Sequence, residues 1–416
     1  MDYIIAVQAA AYPISPTSFA TESAFAEHLK ELRELLGEKF TRMVLIAPRL
    51  REQEYQATKN HLGVINLDEH GIMYLPAHYT NTTAKEFWFS CFRDIWKRVN
   101  EAAAHASIVH SGMSDDVWRP LLAIVNLIAW RAKIPVVFVV DIDFRRHTWH
   151  FYKSGIWSRK TYIVNRLFYD PLKWIQVWLA ARMYQLVLLK GASMARAFGK
   201  GRKNVKNFLD TVHRIEDVLT PSQMKSRLEW LCATSRPLNV VYFGRLVRYK
   251  GLDRAIEAVH LARSMGANVV LTLIGDGDQK KLLQKQVVET GLENAVRFHP
   301  PVRYGASLFQ LLNDVHLAIA TPLTEDTPRA SFDAFARGLP LLAFDITFYR
   351  DMAKNGAVAL ATWPSVESLA EQLVVLSQDR QRLARMAEAA VVFARENTQT
   401  YWLNKRISWT LNTALD

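Results

Sequence analysis

Apolar positions along the chain alternate between strand-like and helix-like periods. Residues 3–8 form a short apolar run of strand type, and residues 22–36 follow with Phe25, Leu29, Leu32 and Leu36 on one helical stripe. Residues 42–47 and 108–110 read as further strands. Residues 135–140 are apolar at successive positions, as a strand covered on both faces in a parallel sheet requires. Residues 185–189 give another strand. The second half repeats the rhythm more cleanly. A strand at 240–243 leads to a helix at 253–264 that turns Ala255, Ile256, Val259 and Ala262 inward. A strand at 269–274, a helix at 280–290 and a strand at 296–299 come next, and 315–320, 331–337, 340–344 and 365–377 continue the alternation. Such alternation predicts two doubly wound α/β domains. The stretch 213–237 breaks the rhythm and contains Pro221 and Pro237, which marks a linker. The expected organisation is a domain at 1–217, a linker at 218–236, a second domain at 237–398 and a final helix at 399–416.

The chain has 416 residues, half of them apolar, enough for two ordinary cores. Cys91 and Cys232 lie far apart and make no metal-binding or redox spacing, which fits a reducing compartment. The first residues, Met1-Asp2-Tyr3-Ile4, lack a basic leader and read as a first strand rather than a signal peptide. No run approaches the ~18 apolar residues of a spanning helix; the longest, 121–140, is interrupted by Asn126, Arg131 and Lys133. The net charge of +12 is concentrated. Between Phe144 and Lys206 fourteen Lys and Arg face one acid, Asp170, so that segment carries +13. It is either a solvated basic face or a docking surface for an anionic partner.

Three signals in the second half carry chemistry, each at the end of a strand-like run. The first is Gly244-Arg245-Leu246 with Lys250-Gly251. Gly244 permits a sharp turn, and Arg245 and Lys250 then project over the sheet edge. A diphosphate needs charge-assisted donors; arginine supplies a planar fork and lysine a point charge. The second is Gly275-Asp276-Gly277, whose glycines permit close backbone approach to a ligand. The third is Glu325, in a loop after an apolar strand, with Asp333 eight positions on. Pro328 suits the first turn of a helix there, whose amides, near Thr327 and Arg329, present a positive terminus to anionic oxygen. One carboxylate then accepts from sugar hydroxyls and the other from ribose hydroxyls. Order and spacing together describe a pocket for a nucleoside-diphosphate sugar.

Residues 237–396 resemble the nucleotide-sugar-binding domain of the retaining glycosyltransferases of family 4, among the group 1 glycosyltransferases. The matching stretches are Val241-Tyr242-Phe243-Gly244-Arg245-Leu246 with Lys250-Gly251-Leu252, the Glu325-to-Asp333 pair in place of the family's Glu-x7-Glu, and Ala334-Phe335-Ala336-Arg337-Gly338-Leu339-Pro340. The resemblance implies the GT-B fold, two Rossmann-like doubly wound domains facing across a cleft. It implies that Arg245 and Lys250 bind the donor diphosphate, Glu325 the donor sugar and Asp333 the ribose, with no metal and no other cofactor. Gly244, Gly275, Asp276, Thr327 and Arg329 complete the expected donor contacts. Asp333 is one methylene shorter than the family's glutamate, which weakens that ribose contact or routes it through water. The resemblance also implies that the last helix crosses back to the first domain.

In the first domain the resemblance is thinner. The family's Gly-Gly loop after the first strand is replaced by Ala9-Ala10-Ala11-Tyr12-Pro13. Family members often place a His or Asp at the end of a central strand, facing the reaction centre, which suggests Asp141 here, with Asp143 second. An Asp-x-Asp after a strand is also the metal-holding signature of the other glycosyltransferase fold, GT-A; that alternative leaves the second half unexplained. Ten aromatics between Phe144 and Trp178 join the basic run, and such a mixture suits a membrane–water interface. The expectation is a peripheral protein on the inner, cytoplasmic face of the cell membrane. It touches anionic lipid through 144–206 and takes a lipid-linked or saccharide acceptor. Burial of these aromatics in the first domain's core is the alternative. No motif supports a nucleic-acid partner. A GT-B enzyme with a soluble acceptor, a sugar-nucleotide epimerase and a non-catalytic sugar-nucleotide binder remain as alternative functions.

Overall fold

A computed structural model describes residues 1–233 and 236–415. Residues 234–235 of the expected linker and residue 416 of the final helix lie outside the described residues. The chain falls into two compact units. One holds Met1–Asp141, Leu167–Phe208 and the chain from Leu403 on; the other holds Ile142–Arg166 and Leu209–Trp402.

The first unit is built on a ten-stranded sheet. Its parallel part runs Val205–Phe208, Leu186–Lys190, Val136–Val140, Ala106–Gly112, Asp2–Ala6 and Met43–Arg49, with Ile72–Tyr79 parallel to the last. Asp2–Ala6, at the centre, is buried at every position. An antiparallel meander of Ala11–Ser15, Ser18–Glu22 and Leu62–Asn66 extends the edge. These three strands and Ile72–Tyr79 are absent from the sequence reading. Pro13 and Pro76 interrupt two of them, and proline removes the donor that a strand pattern relies on.

The second unit has six parallel strands in the order Val296–His299, Val269–Ile274, Leu238–Phe243, Leu317–Ala320, Leu341–Phe344, Val358–Ala361. In chain order this is 3-2-1-4-5-6, the doubly wound arrangement. Successive side chains point to opposite faces, so the central strands feed two apolar layers. Val240, Leu317, Ile319, Leu342 and Phe344 enter one; Val241, Ala318, Ala320, Leu341 and Ala343 enter the other. That is why the central strands read as continuous apolar runs. The stretch expected as a linker carries helix Pro221–Cys232, capped by Thr220 and buried through Arg227 and Leu231. Gln399–Leu415 is one helix that starts in the second unit and belongs to the first from Leu403 on.

Candidate active site

In a 3-2-1-4-5-6 sheet the loops leaving strands one and four diverge and open a crevice at the strands' carboxyl ends. Here those strands are Leu238–Phe243 and Leu317–Ala320, so the crevice lies between loops 244–251 and 321–329. The loops are tied together at their bases. Leu323 N donates to Tyr249 O at 2.7 Å, and Thr321 Oγ1 donates to the carbonyls of Lys250 and Gly251, each at 2.9 Å. Lys250 Nζ meets Asp326 Oδ2 at 2.5 Å, so the predicted diphosphate lysine is already clamped to the second loop. Arg245 is exposed and donates from Nη2 to Tyr249 Oη at 3.3 Å.

Gly275 and Gly277 have φ of 148° and 158°, conformations that L side chains rarely adopt. A Cβ on Gly275 would stand 1.9 Å from Gly244 O, and one on Gly277 2.3 Å from Leu246 O. Gly244 N donates to Ile274 O at 3.0 Å and Leu246 N to Asp276 O at 2.8 Å. The close approach predicted for a ligand is therefore made by the neighbouring loop's backbone. These glycines let pairing continue past the strand ends and so fix where Arg245 starts. Asp276 is exposed; its Oδ1 accepts from Gly277 N at 2.9 Å, with Lys280 Nζ 3.6 Å away.

Glu325 is 2 % exposed. Its Oε1 accepts from Thr347 N at 3.1 Å and Thr347 Oγ1 at 2.7 Å, while Oε2 is buried without a hydrogen-bond partner. Burial pushes its carboxyl above the ordinary range; the donors Thr347 and Phe348 N pull it back, and the charge of Asp143 adds to the rise. Asp333 lies in helix Ala330–Ala336, is 5 % exposed, and has a buried Oδ1 without a partner. Burial, with repulsion from Asp217, lifts its carboxyl to about 8, against the pull of Arg329. An unmet buried acceptor costs ~1–3 kcal/mol, which a hydroxyl donor reaching it would recover.

The helix begins at Ala330, so Pro328 precedes its first turn rather than occupying it. Arg329 is engaged elsewhere than expected: Nε and Nη2 reach Asp210 Oδ2 at 2.8 and 2.7 Å. Thr327 N donates to Asp326 Oδ1 at 3.0 Å and so joins the Lys250 clamp. Asp141 is exposed just past strand Val136–Val140, in the first unit. Asp143 is buried in the second unit, held by Arg145 Nε at 2.8 Å and Nη2 at 2.5 Å. The two carboxylates thus occupy different surroundings. No cluster of three His, Cys, Asp or Glu suited to a metal occurs among the described residues.

The sequence reading missed the contribution of Ile142–Arg166 to this unit. Helix His147–Lys153 lies against the Glu325 loop: His147 Nδ1 and Thr324 Oγ1 share a hydrogen bond of 2.9 Å, and His150 Nδ1 stands 3.9 Å from Glu325 Oε1. Burial, then the charges of Arg146 and His147, lowers His150 to about 4 and leaves its imidazole neutral near pH ~7. Trp363 packs on His150 at 4.5 Å between ring centroids and on Trp149 at 5.2 Å, and donates from Nε1 to Pro322 O at 3.1 Å. A signal existed in His147-Thr148-Trp149-His150, whose histidines are three apart on one helical face. Thr347 and Trp363 carried none.

Residues 233–392 match the family model described as Glycosyl transferases group 1. The amylovoran biosynthesis glycosyltransferase AmsK of Erwinia amylovora is 27 % identical over 164 residues, 37 % of this chain. The match spans only 39 % of AmsK's length. HepE from Anabaena, solved with UDP, superposes over 99 % of this chain and 100 % of its own with a TM-score of 0.64 at 18 % identity. WaaG, a glycosyltransferase involved in lipopolysaccharide biosynthesis, superposes over 98 % of each chain with a TM-score of 0.61 at 12 % identity. The chain therefore has the GT-B fold, and the group 1 match lies in the unit that holds Glu325 and Asp333.

Proposed function

We propose that this protein transfers a sugar from a nucleoside-diphosphate donor to an acceptor hydroxyl, with retention at the anomeric carbon. The observation that carries the reading is the pair Glu325 and Asp333. Both are buried beside the switch point inside the group 1 match, each with one oxygen lacking a donor. Glu325 Oε2 takes a hydroxyl of the donor sugar and Asp333 Oδ1 a ribose hydroxyl. Arg245, exposed at the mouth, and Lys250, fixed by Asp326, supply positive charge where the diphosphate departs, so no metal is required. The acceptor oxygen bonds to the anomeric carbon on the face the phosphate leaves. The carbon–phosphate-oxygen bond breaks, and the acceptor's proton passes to the departing phosphate. No protein nucleophile takes part.

AmsK and WaaG are named for amylovoran and lipopolysaccharide biosynthesis, which supports polysaccharide or glycolipid assembly and a lipid-linked acceptor. The basic, aromatic stretch 144–206 supports peripheral contact with the anionic inner face of the cell membrane. No helix among the described residues is long and apolar enough to cross a membrane. HepE was solved with UDP-glucose, which makes UDP-sugars the first donors to test. The test is thermal stabilisation of the purified protein by UDP-, GDP- and ADP-sugars, with and without EDTA. A rise with one nucleotide, indifferent to EDTA, is expected. A rise only with Mn²⁺ would overturn the metal-free reading in favour of Asp141 and Asp143 as ligands. No rise with any donor would overturn the transferase reading.

A further inference from the structure

Helix Asp170–Met183, in the first unit, is amphipathic the wrong way round for a protein bathed only in water. Its buried stripe is small or polar: Asp170, Val177, Ala180 and Ala181. Gln176, on the same side, exchanges hydrogen bonds of 3.0 Å with the backbone of Ser114. The outward face carries the large apolar residues Leu172, Ile175, Trp178 and Leu179. The preceding turn adds Leu167 at 62 % and Phe168 at 64 % exposure. Trp118, itself exposed, joins them by donating Nε1 to Tyr169 Oη at 3.0 Å. Isolated exposed apolar side chains are ordinary, but a contiguous set on one helix and its lead-in turn marks a surface that something covers.

The rim says what covers it. Arg182 lies over the Trp178 ring at 3.6 Å, an apolar stem and aromatic face below a charged head. Turn residues Arg202 and Asn204 both donate to Ala181 O, which places Arg202 and the exposed Lys203 at the helix's carboxyl end. Helix Ala192–Gly199 packs alongside through Phe198 on Trp174, at 4.6 Å, and contributes the exposed Arg196. From Leu167 to Lys206 the single acid is Asp170, which is buried. Apolar side chains flanked by Trp and rimmed by Arg182, Arg196 and Lys203, with the exposed Asp115 ion-paired to Lys173 at 3.0 Å and Asp116 to Arg119, fit an anionic bilayer surface. The cations remain at the headgroups while the apolar face enters the acyl boundary.

We propose that the outward face of Asp170–Met183, with Leu167 and Phe168, is the element that inserts into anionic lipid. This rests on the membrane reading of 144–206 and narrows it to one helix, independently of the donor site. The experiment is flotation of the full chain with phosphatidylcholine vesicles, with and without about one-third phosphatidylglycerol. Three proteins are compared: wild type, Ile175→Glu/Leu179→Glu, and the charge variant Arg182→Gln/Lys203→Gln. Wild type is expected to float with anionic vesicles and not with neutral ones. The apolar variant should bind at least ~10-fold less while keeping wild-type circular dichroism, since both residues already face solvent. The charge variant should lose a few-fold, with the remainder abolished by salt. Nucleotide-sugar thermal shifts should be unchanged in both variants, which separates failure of this proposal from failure of the transferase reading. Equal flotation of wild type and apolar variant, or no flotation of wild type, would overturn it. So would a wild-type dimer in light scattering that the apolar variant dissociates, because a second copy would then cover the face.

Discussion

Asp333 is a carboxyl whose proton is held by its surroundings rather than by a partner. In an unfolded chain it would lose that proton near pH ~4; in the fold, burial and the charge of Asp217 defer the loss to about 8. Between those values the folded state binds one proton more than the unfolded state. Its contribution to stability therefore falls as pH rises through the window, by up to ~1.4 kcal/mol per pH unit. Asp333→Asn removes that titration, so urea unfolding at about pH 6 and about pH 8 should show a shallower decline in the variant. An unchanged decline would mean that Asp333 ionises normally. Arg245 poses the opposite case, an exposed guanidinium whose value lies in a complex. If it stabilises the departing diphosphate, Arg245→Ala should cut turnover at least ~10²-fold with little change in melting temperature. A wild-type rate would remove it from the mechanism. Both residues were legible in sequence by type and spacing. The partners of Lys250 and Arg329 were not, because Asp326 and Asp210 are ordinary acids until the fold brings them within 2.5 and 2.7 Å.

At the scale of elements, the loops at the carboxyl ends of the second unit's strands are held by backbone as much as by side chains. Gly275 N donates to His299 O at 3.0 Å and Gly244 N to Ile274 O at 3.0 Å, so three neighbouring strands stay joined beyond their ends. Gly275→Ala would push a methyl against Gly244 O, in a conformation alanine avoids. A loss of at least ~2 kcal/mol is expected, together with weaker donor binding, because the loop that starts Arg245 must move. Denaturant midpoints and donor titration read the two effects, and a fully stable variant would show that the strand ends relax freely. Five of the six strands of this unit were legible as apolar runs, most plainly the central ones that feed apolar layers on both faces; the short edge strand Val358–Ala361 was not. The meander of the first unit was not, because Pro13 and short two-residue alternation hide a strand until its partners are known. Helix Asp170–Met183 was hidden for another reason: its large apolar residues face outward, so helical periodicity pointed to no core.

Over the whole molecule the chain enters the second unit twice, at Ile142 and again at Leu209, and only the first visit was invisible in sequence. A boundary drawn from alternation and prolines assigns 1–217 to one domain, yet Ile142–Arg166 belongs to the second unit. Order in the Glu325 loop therefore depends on residues that precede most of that unit in the chain. The hydrogen bond between His147 and Thr324 contributes ~1 kcal/mol and the rings on Trp363 ~0.5–1.5 kcal/mol. Their joint loss exceeds the ~1.4 kcal/mol that corresponds to tenfold in affinity. His147→Ala/Trp149→Ala in the full chain should thus bind the stabilising nucleotide sugar about tenfold more weakly. A fragment spanning 209–402, which lacks the whole segment, should be at least as impaired if it folds by circular dichroism. Wild-type donor affinity in the double variant would show that Thr347 and the Lys250–Asp326 clamp hold the loop unaided. The passage of Ile142–Arg166 through this unit would then serve its packing rather than its donor site.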